Sequence, residues 1–370
     1  AGAAGEPGSS CDPDSLVGGV DWVVDETRVD GAYPDILEWT QAGVRGGIPD
    51  RGELTVRATL SPGDDIHSAI DAAAAAGGGV VLLAVGTYPT SSTLELRSGV
   101  VLRGESADST IIESTLRQVW EGWGSKGRFV DFGASSRAGL ENLTLRYVVD
   151  GTSPVDRESY TDGGWCGECF ANDPGGHDDL YVVGVDMRNA TDCWLDGVRV
   201  LESGTDPVIM GGEHNTVRNV LVDRAYNKGG GGNGYFDIRG RHGLVVHSEV
   251  RRIRHLAIDG GGTYNVVWRN HIEVDVNFHN GDAGHNLVEQ NEILVPTWHG
   301  WDVFATGGAE YGHSPPGPDN VLVNNTTDSH GTGPKWAEPD TLYTFEGFGD
   351  PVDSGLPMAS GGTFYPMRCR

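Results

Sequence analysis

The segment VNFHNGDAGHN, residues 276–286, carries side chains whose types and spacing could do chemistry. It holds two histidines, an aspartate and three asparagines in eleven residues. Imidazole titrates near neutral pH and a carboxylate can accept a proton, so this composition is typical of general acid–base catalysis. We predict that His279 and Asp282 are catalytic, whereas His285 and Asn286 fit a polar turn made by the neighbouring glycines.

More candidate groups lie upstream of this segment, and a few lie downstream. The predicted catalytic residues there are Tyr226, Lys228, Tyr235, Arg254 and His255. The predicted substrate-binding residues are Asp237, Arg239, Arg241, Arg252, Asp259, Trp298, His299, Trp301 and Asp302. Arginine binds carboxylates through two parallel hydrogen bonds, and aromatic rings offer flat apolar surfaces to sugar rings. These residue types together predict a groove for a sugar polymer.

Positive charge is concentrated in one part of an acidic chain. Residues 215–255 contain eight basic and three acidic side chains, whereas the whole chain has a net charge of −27. A basic region on an acidic protein attracts anions, which predicts an anionic polysaccharide as the partner. The acidic remainder repels nucleic acid and anionic lipid, so neither is a predicted partner. The alternative is that these arginines pair with acidic residues of neighbouring repeats.

A repeat must position these groups. Five segments share an apolar run that ends in asparagine: RAGLENLTL at 137, HNTVRNVLV at 214, NVVWRNHIE at 265, NLVEQNEIL at 286 and NVLVNNTTD at 320. Looser copies begin at 192 and 242, and successive starts from 192 onwards are 21–34 residues apart. A period in this range, with many β-branched residues, predicts stacked coils of short strands.

The asparagines that end these runs are predicted to stack on one another. They are Asn142, Asn219, Asn270, Asn291 and Asn325. Amide side chains on successive coils can bond to each other and to the amides of the turns. We therefore predict a structural role for them.

Residues 65–106, DIHSAIDAAAAAGGGVVLLAVGTYPTSSTLELRSGVVLRGES, together with this repeat resemble the pectate-lyase-like superfamily of right-handed parallel β-helices. The resemblance implies an all-β, single-stranded right-handed parallel β-helix whose N-terminal end is capped by an α-helix over 65–76. It also implies a face that binds extended polysaccharides. The chain lacks the paired-aspartate, GHG and RIK pattern of polygalacturonases, the calcium-site and arginine pattern of classical pectate lyases, and the YG-x-DPH motif of mannuronan epimerases. The resemblance therefore predicts the fold and leaves the specific family open.

Three regions are predicted along the chain. Residues 1–60 form an irregular segment packed on the solenoid, and residues 61–330 form the β-helix. In the latter, Asp64 or Asp65 caps the first helix and Gly77 ends it. Residues 331–370 form a tail that packs back on the solenoid, because its aromatic side chains need burial.

Two reactions are compatible with the candidate groups. In β-elimination, a base removes the proton α to a uronate carboxylate, a cation stabilises the enolate and an acid protonates the leaving oxygen. The predicted bases are His255 or His279, the cations Arg254 and Arg239, and the acids Tyr226, Tyr235 or Lys228. In hydrolysis, two carboxylates flank the glycosidic bond, and Asp237, Asp259, Asp282 and Asp302 are the candidates. The basic region favours a polysaccharide lyase over a glycoside hydrolase.

A non-catalytic β-helix, such as a carbohydrate-binding or adhesin-like protein, is the third alternative. A purely structural solenoid would have regular coils and few polar clusters on one face. The long insertions at 150–185 and 296–319 are instead typical of groove walls.

Neither reaction requires a cofactor. Calcium is the optional ligand, through the oxygen atoms of Asp275, Asn277 and Asp282. The sequence predicts no other metal site, and it does not determine whether the protein is a monomer or a homo-oligomer.

The remaining features concern the cellular compartment. The chain begins AGAAGEPGSSC, without Met or a charged leader, which predicts a mature secreted protein. No apolar run is long enough to span a membrane. The cysteines are Cys11, Cys166, Cys169, Cys193 and Cys369, which predict one disulfide involving the 166–169 loop and a second between Cys11 and Cys369.

Overall fold

Short β-strands make up most of the regular structure. The computed structural model describes residues 22–24, 35–122, 124–150, 166–358, 362–365 and 367–369. Within these ranges the α-helices are Asp35–Trp39 and Ile66–Ala75. Short 3₁₀ helices occur at Gly167–Phe170, Pro174–Gly176 and Ala309–Tyr311.

The strands form three long sheets and one short pair. The nine-stranded sheet contains Gly86–Thr90, Thr110–Ser114, Thr144–Tyr147, Arg199–Ser203, Leu221–Ala225, Glu249–Arg251, His271–Ile272, Glu292–Val295 and Thr326–Ser329. The eight-stranded sheet contains Leu94–Glu95, Gly127–Asp131, Val182–Met187, Val208–Met210, Tyr235–Ile238, His255–Asp259, Val276–His279 and Phe304–Gly307. The twelve-stranded sheet contains Val56–Leu60, Gly79–Leu83, Val100–Gly104, Gly139–Glu141, Trp194–Asp196, Thr216–Arg218, Leu244–Val246, Val266–Trp268, Leu287–Glu289, Val321–Val323, Leu342–Thr344 and Val352–Asp353. The short pair joins Trp22–Val24 to Met367–Cys369 in antiparallel fashion.

Each coil passes through the three long sheets in turn. The chain runs from Thr216–Arg218 in the twelve-stranded sheet to Leu221–Ala225 and Tyr235–Ile238 in the other two, and returns to the first at Leu244–Val246. Neighbouring coils pair in parallel, and connections between parallel strands are right-handed in nearly all proteins. The fold is a right-handed parallel β-helix, as predicted.

The core lies inside the coils, because alternate side chains of each strand point inward. Phe236 and Ile238 are fully buried and belong to one continuous apolar cluster with Leu256, Ile258 and Phe278. The same cluster extends to the first coils. The remaining alternate residues of each strand point away from this core and form the outer faces of the sheets.

The predicted first helix is present. The side chain of Asp65 accepts a hydrogen bond from the backbone N–H of Ser68 and caps the helix, which ends at Ala75, ahead of Gly77. Ile66 and Ile70 are buried in the same core as the first strands. That the helix closes the end of the solenoid stays a prediction.

The predicted single stack of five asparagines is wrong, because the structure contains two stacks. Asn265, Asn286 and Asn320 stack where the chain enters the twelve-stranded sheet, and the N–H of Asn286 donates to Asn320 Oδ1 at 3.0 Å. Asn215 has the same position two coils earlier, with Gly243 between it and Asn265. Asn270, Asn291 and Asn325 stack where the chain leaves the twelve-stranded sheet. At this second corner the N–H of Asn270 donates to Asn291 Oδ1 at 2.9 Å.

Asn142 and Asn219 belong to neither stack. They have φ angles of 52° and 54° and occupy the left-handed turn that Gly197, His247 and Arg269 take on other coils. The reason is a slip of one position. The strand begins two residues after the start of the segments at 137 and 214, but one residue after the start at 265.

Described segments near both ends of the chain pack on the outer face of the twelve-stranded sheet. Ile36 and Trp39 of the helix Asp35–Trp39 form an apolar cluster with Phe364 and Tyr365 of the tail. The carboxylate of Glu289 accepts the backbone N–H groups of both tail residues, at 2.8 and 2.9 Å. Burial raises the pKa of this carboxyl to about 7. The boundaries at 60 and 330 stay predictions.

A disulfide joins Cys166 to Cys169, and Cys193 is a buried free thiol. Cys11 and the side chain of Cys369 lie outside the described residues, so their predicted bond stays a prediction. Among the described helices, none has the length and apolarity to cross a bilayer.

Replacing Asn291 by alanine should destabilise the protein by about 2–4 kcal/mol, because several buried groups lose their partners at once. The Oδ1 atom of Asn291 accepts from the backbone and side chain of Asn270, and its Nδ2 donates to the carbonyl of Val267. Urea denaturation measures the change. Asn189→Ala, in an exposed turn, is the control and should change the free energy of unfolding by less than about 0.5 kcal/mol. Equal effects of the two substitutions would show that the stack is dispensable.

Candidate active site

A square array of side chains covers the outer face of three consecutive strands in the eight-stranded sheet. Tyr235 pairs with His255, Asp237 with Ala257, and Asp259 with His279. Because neighbouring strands are in register about 4.8 Å apart, the outward side chains fall into rows across the strands. We call these nine positions the polar grid: Tyr235, Asp237, Arg239, His255, Ala257, Asp259, Asp275, Asn277 and His279.

Two buried carboxylates share one arginine within the polar grid. Arg239 donates from Nε to Asp237 Oδ2 and from Nη2 to Asp259 Oδ2, the latter at 3.1 Å. The side chains of Asp237 and Asp259 are 2% and 5% exposed, whereas that of Arg239 is 43% exposed and lies between them and the solvent. Burial and the charge of Asp259 raise the pKa of Asp237 to about 7, although Arg239 opposes the shift. Asp237 therefore exchanges its proton with solvent close to neutral pH.

His279 borders the carboxylates at the edge of the polar grid. Its Nδ1 lies 3.6 Å from Asp259 Oδ2, and its ring contacts Tyr235 and His313 with ring centres 5.5 and 4.6 Å away. His279 Nδ1, Asp237 Oδ1 and Asn277 Oδ1 are buried and make no hydrogen bond to any described residue. Such groups are rare in folded proteins and are expected where a ligand or water supplies the missing partner.

A hydrogen-bonded chain supports the polar grid from one side. Nδ1 of His255 lies 2.7 Å from Asp275 Oδ1, and Arg254 Nε donates to His255 Nε2 at 3.3 Å. Nε2 of His299 lies 2.8 Å from the carbonyl of Arg254 and 3.5 Å from Asp275. Burial lowers the pKa of His255 well below its usual value and lowers that of His299 to about 4. Both imidazoles are therefore neutral near pH 7, and His255 donates its Nδ1–H to the carboxylate.

His255, Asp275 and His299 also place three ligand atoms within 4.8 Å of one another, which raises the question of a metal ion. A metal on His255 Nδ1 would require a hydrogen on Nε2, because only one ring nitrogen of a neutral imidazole has a free lone pair. That hydrogen would point at the Nε–H of Arg254. The cluster therefore fits a hydrogen-bond network and does not fit a metal site.

The predicted calcium ligands are not brought together. Asn277 Nδ2 donates to Asp275 Oδ2 at 2.9 Å, so these two are neighbours. Asp282 instead accepts from the backbone of Gly284 and the side chain of Asn320 in a turn.

Aromatic rings form a wall beside the polar grid. Trp301 contacts His255 with ring centres 4.4 Å apart, and the guanidinium of Arg254 lies 4.7 Å from the Trp301 ring. Trp298 and Phe170 are buried behind it against the Cys166–Cys169 disulfide. The predicted groove aromatics thus reach the site, and Trp301 is the more exposed of the two.

The structure brings together most of the predicted site. Tyr235, Asp237, Arg239, Arg254, His255, Asp259, His279, Trp298, His299 and Trp301 lie in the polar grid or against it. His255 and His279, the two predicted bases, have ring centres 6.4 Å apart.

Three of the predicted catalytic residues lie elsewhere. Tyr226 is buried against Tyr147, and burial raises its pKa to about 12. Lys228 is fully buried, and its ammonium donates to the carbonyl of Ala225 at 2.7 Å. Asp282 lies in a turn three residues beyond His279, where its carboxylate accepts from Gly284, Gly317 and Asn320.

Three of the predicted binding residues also lie elsewhere. Arg241 pairs with Glu38, and Arg252 pairs with Asp223 on the nine-stranded sheet. Asp302 accepts from Ser329 and Lys335. The basic residues of 215–255 therefore do not form one surface, because successive residues of a coil face different sheets.

Sequence reasoning missed three residues at the site. Asp275 and Asn277 were considered only as calcium ligands, although their alternation with Val276 and Phe278 indicates an outer face. His313 had no sequence signal, because its place depends on how the loop after Gly307 folds back to His279.

Comparisons with known proteins give low overall similarity. No protein-family model matches the chain, and no curated protein matches its sequence. Among solved structures, the Dettilon tailspike protein matches with a TM-score of 0.40 and 13% identity over 73% of this chain. The chain spans 61% of that tailspike.

Two further solved structures show similar values. Pectin methylesterase PemA from Erwinia chrysanthemi has a TM-score of 0.37 and 14% identity, covering 78% of this chain and 82% of that one. The catalytic unit of an α-1,3-glucanase from Streptomyces thermodiastaticus has a TM-score of 0.34 and 16% identity, covering 73% and 52%. The fold assignment for this chain rests on the strand pairing described above.

Asp275→Ala should destabilise the protein by about 2–4 kcal/mol, because it leaves buried donors without an acceptor. His255 and Asn277 would both lose their acceptor. Thermal and urea unfolding measure the change. Asp71→Ala breaks an exposed ion pair with Arg97 and should cost less than about 1 kcal/mol. A stable Asp275→Ala protein would mean that water replaces the carboxylate.

Proposed function

We propose that this chain is a carbohydrate-active enzyme that cleaves a polysaccharide at the polar grid, and that it does so as a glycoside hydrolase. The observation that carries the proposal is the pair Asp237 and Asp259, which shares Arg239 and has one carboxyl titrating near neutral pH. Two carboxyl groups in different protonation states are what general acid and base catalysis of glycoside hydrolysis needs.

Each carboxyl has a definite role in this proposal. Protonated Asp237 donates its proton to the glycosidic oxygen as the bond from that oxygen to the anomeric carbon breaks. Ionised Asp259 accepts a proton from the water that forms the new bond to the anomeric carbon. His279, next to Asp259, and the ring of Tyr235 border the place for the sugar. Side chains alone supply this chemistry, so the proposal requires no cofactor.

The second candidate is β-elimination on a uronate polymer, which the sequence favoured. Its support is the partly exposed guanidinium of Arg239 beside His279, which pairs a cation for the uronate carboxylate with a base for the α-proton. His255 is weaker as the base, since its Nε2 already accepts from Arg254 and the residue is buried. Of the acids proposed with it, Tyr226 packs against Tyr147, and the ammonium of Lys228 donates to the carbonyl of Ala225.

The substrate and the compartment are also part of the proposal. Successive coils place an outer face along the solenoid, which suits an extended polymer rather than a single sugar. We propose an anionic polysaccharide, because Arg239 is the most exposed charged group of the grid. The Cys166–Cys169 disulfide supports an extracellular site of action.

Asp237→Asn should lower kcat by about 10²–10⁴-fold on any substrate of the wild type, because the amide cannot donate an acidic proton. The assay is incubation with uronate and neutral polysaccharides while reducing ends and ultraviolet absorbance are followed together. New ends without absorbance support hydrolysis, and new ends with absorbance support elimination. Asp131→Asn, on the same face three coils away, is the matched control and should remain active. Full activity of Asp237→Asn would exclude Asp237 as the acid.

The pH profile should separate the two reactions. The active form of the proposed hydrolase has Asp237 protonated, and the pKa of this carboxyl is raised to about 7. The rate should therefore fall as the pH rises, because less of Asp237 is then protonated. We expect kcat/KM, which reports the free enzyme, to fall about tenfold per pH unit well above about pH 7. A rate that rises through the same range would indicate a base that must lose its proton, as in elimination.

A further inference from the structure

Arg239 covers the two carboxylates on which the proposed function depends. Asp237 and Asp259 are nearly closed to solvent, while the arginine above them is 43% exposed. Its guanidinium occupies one oxygen of each carboxylate. A substrate oxygen cannot reach those oxygens while the guanidinium stays there, so the arrangement seen is a closed one.

The neighbouring charges make Arg239 a movable cover. Arg188 lies on the same face and acts on Arg239 with a like charge, while Asp237, Asp259 and Asp206 attract it. Asp206 forms an ion pair with Lys126 at 2.6 Å, and Arg188 forms one with Asp186. Both neighbours of Arg239 are therefore already paired with other residues. Arg239 is therefore kept in place mainly by Asp237 and Asp259, and a competing anion could draw it outward.

We infer that Arg239 is a latch that an acidic sugar of the substrate opens, and that opening it lets Asp237 take up the proton used in catalysis. The inference rests on the proposed function and names its substrate class, a polymer of uronic acids with free carboxylates. The guanidinium stays charged throughout and exchanges one anion for another. Two adjacent buried carboxylates without a cation cannot both remain ionised, so Asp237 binds a proton from the solvent.

This device would discriminate against neutral sugars. A neutral polymer offers no anion for the guanidinium, so opening the latch would leave two buried carboxylates without their cation and gain no new ion pair in return. An acidic polymer supplies the missing partner and also triggers protonation. Substrate charge and general acid activity are thereby coupled through one side chain.

The experiment is isothermal titration calorimetry at about pH 8, above the pKa of Asp237, in buffers of different ionisation enthalpy. The probes are trimers of galacturonate, mannuronate and guluronate, each beside its methyl ester. The wild type should bind at least one acidic trimer about tenfold more tightly than its ester. Binding should be accompanied by uptake of close to one proton.

Three variants sharpen the test. Arg239→Gln should lose the preference for the acid over the ester. Arg188→Gln, which removes a like arginine from the same face, should keep it. Asp237→Asn should bind the acidic trimer without proton uptake, which a purely structural arginine would not predict.

Each alternative result has one meaning. Equal affinity for acid and ester, binding without proton uptake in the wild type, or no binding of any acidic trimer overturns the latch. The proposed function fails separately, if Asp237→Asn and Asp259→Asn retain full turnover on a substrate of the wild type. If the aspartate variants are inactive but Arg239→Gln keeps its preference for the acid, the latch is overturned and the proposed function stands.

Discussion

The structure depends on the in-register stacking of coils. Parallel pairing places equivalent residues of successive coils about 4.8 Å apart, so a side chain type repeated at one phase becomes a continuous row. Two rows of asparagine result from this at the corners of the twelve-stranded sheet. The same register assembles the polar grid from strands that lie some twenty residues apart in sequence.

The corners of the solenoid are strained, and the asparagines offset that strain. Non-glycine residues on successive coils adopt φ angles near +50° at these turns, including His242, Tyr264 and Arg269. Each such residue costs about 1–2 kcal/mol. The amides of the adjacent asparagines satisfy the buried N–H and C=O groups that the sharp turns leave free. Local strain and the buried amide stacks are therefore two parts of one design for a tight coil.

Electrostatics explains why an acidic protein carries arginine in its site. The arginines of the outer faces lie over aspartates of neighbouring coils that the same register brings beside them, as Arg128 does over Asp186 and Arg239 over Asp259. Each pair cancels most of its own field, so a basic count in the sequence does not become a basic surface. What remains at the polar grid is a buried carboxyl whose pKa lies near 7, and burial is the largest cause of that shift.

The sequence by itself determined the coil period, the helix after Asp64–Asp65, the β-helix architecture and most residues of the candidate site, while the structure assigned the cap to Asp65. It could do so because apolar spacing, capping and turn preferences act over a few residues. The tertiary structure decided the rest. It separated Tyr226, Lys228, Arg241, Arg252, Asp282 and Asp302 from the polar grid, moved Asn142 and Asn219 out of the amide stacks, and brought in Asp275 and His313. A shift of one residue in a strand turns a side chain to the other face, and the length of each corner sets that shift. The position of each residue along its coil is fixed only by packing against the neighbouring coils. Residues close in sequence are therefore divided among three sheets, while residues distant in sequence come into contact.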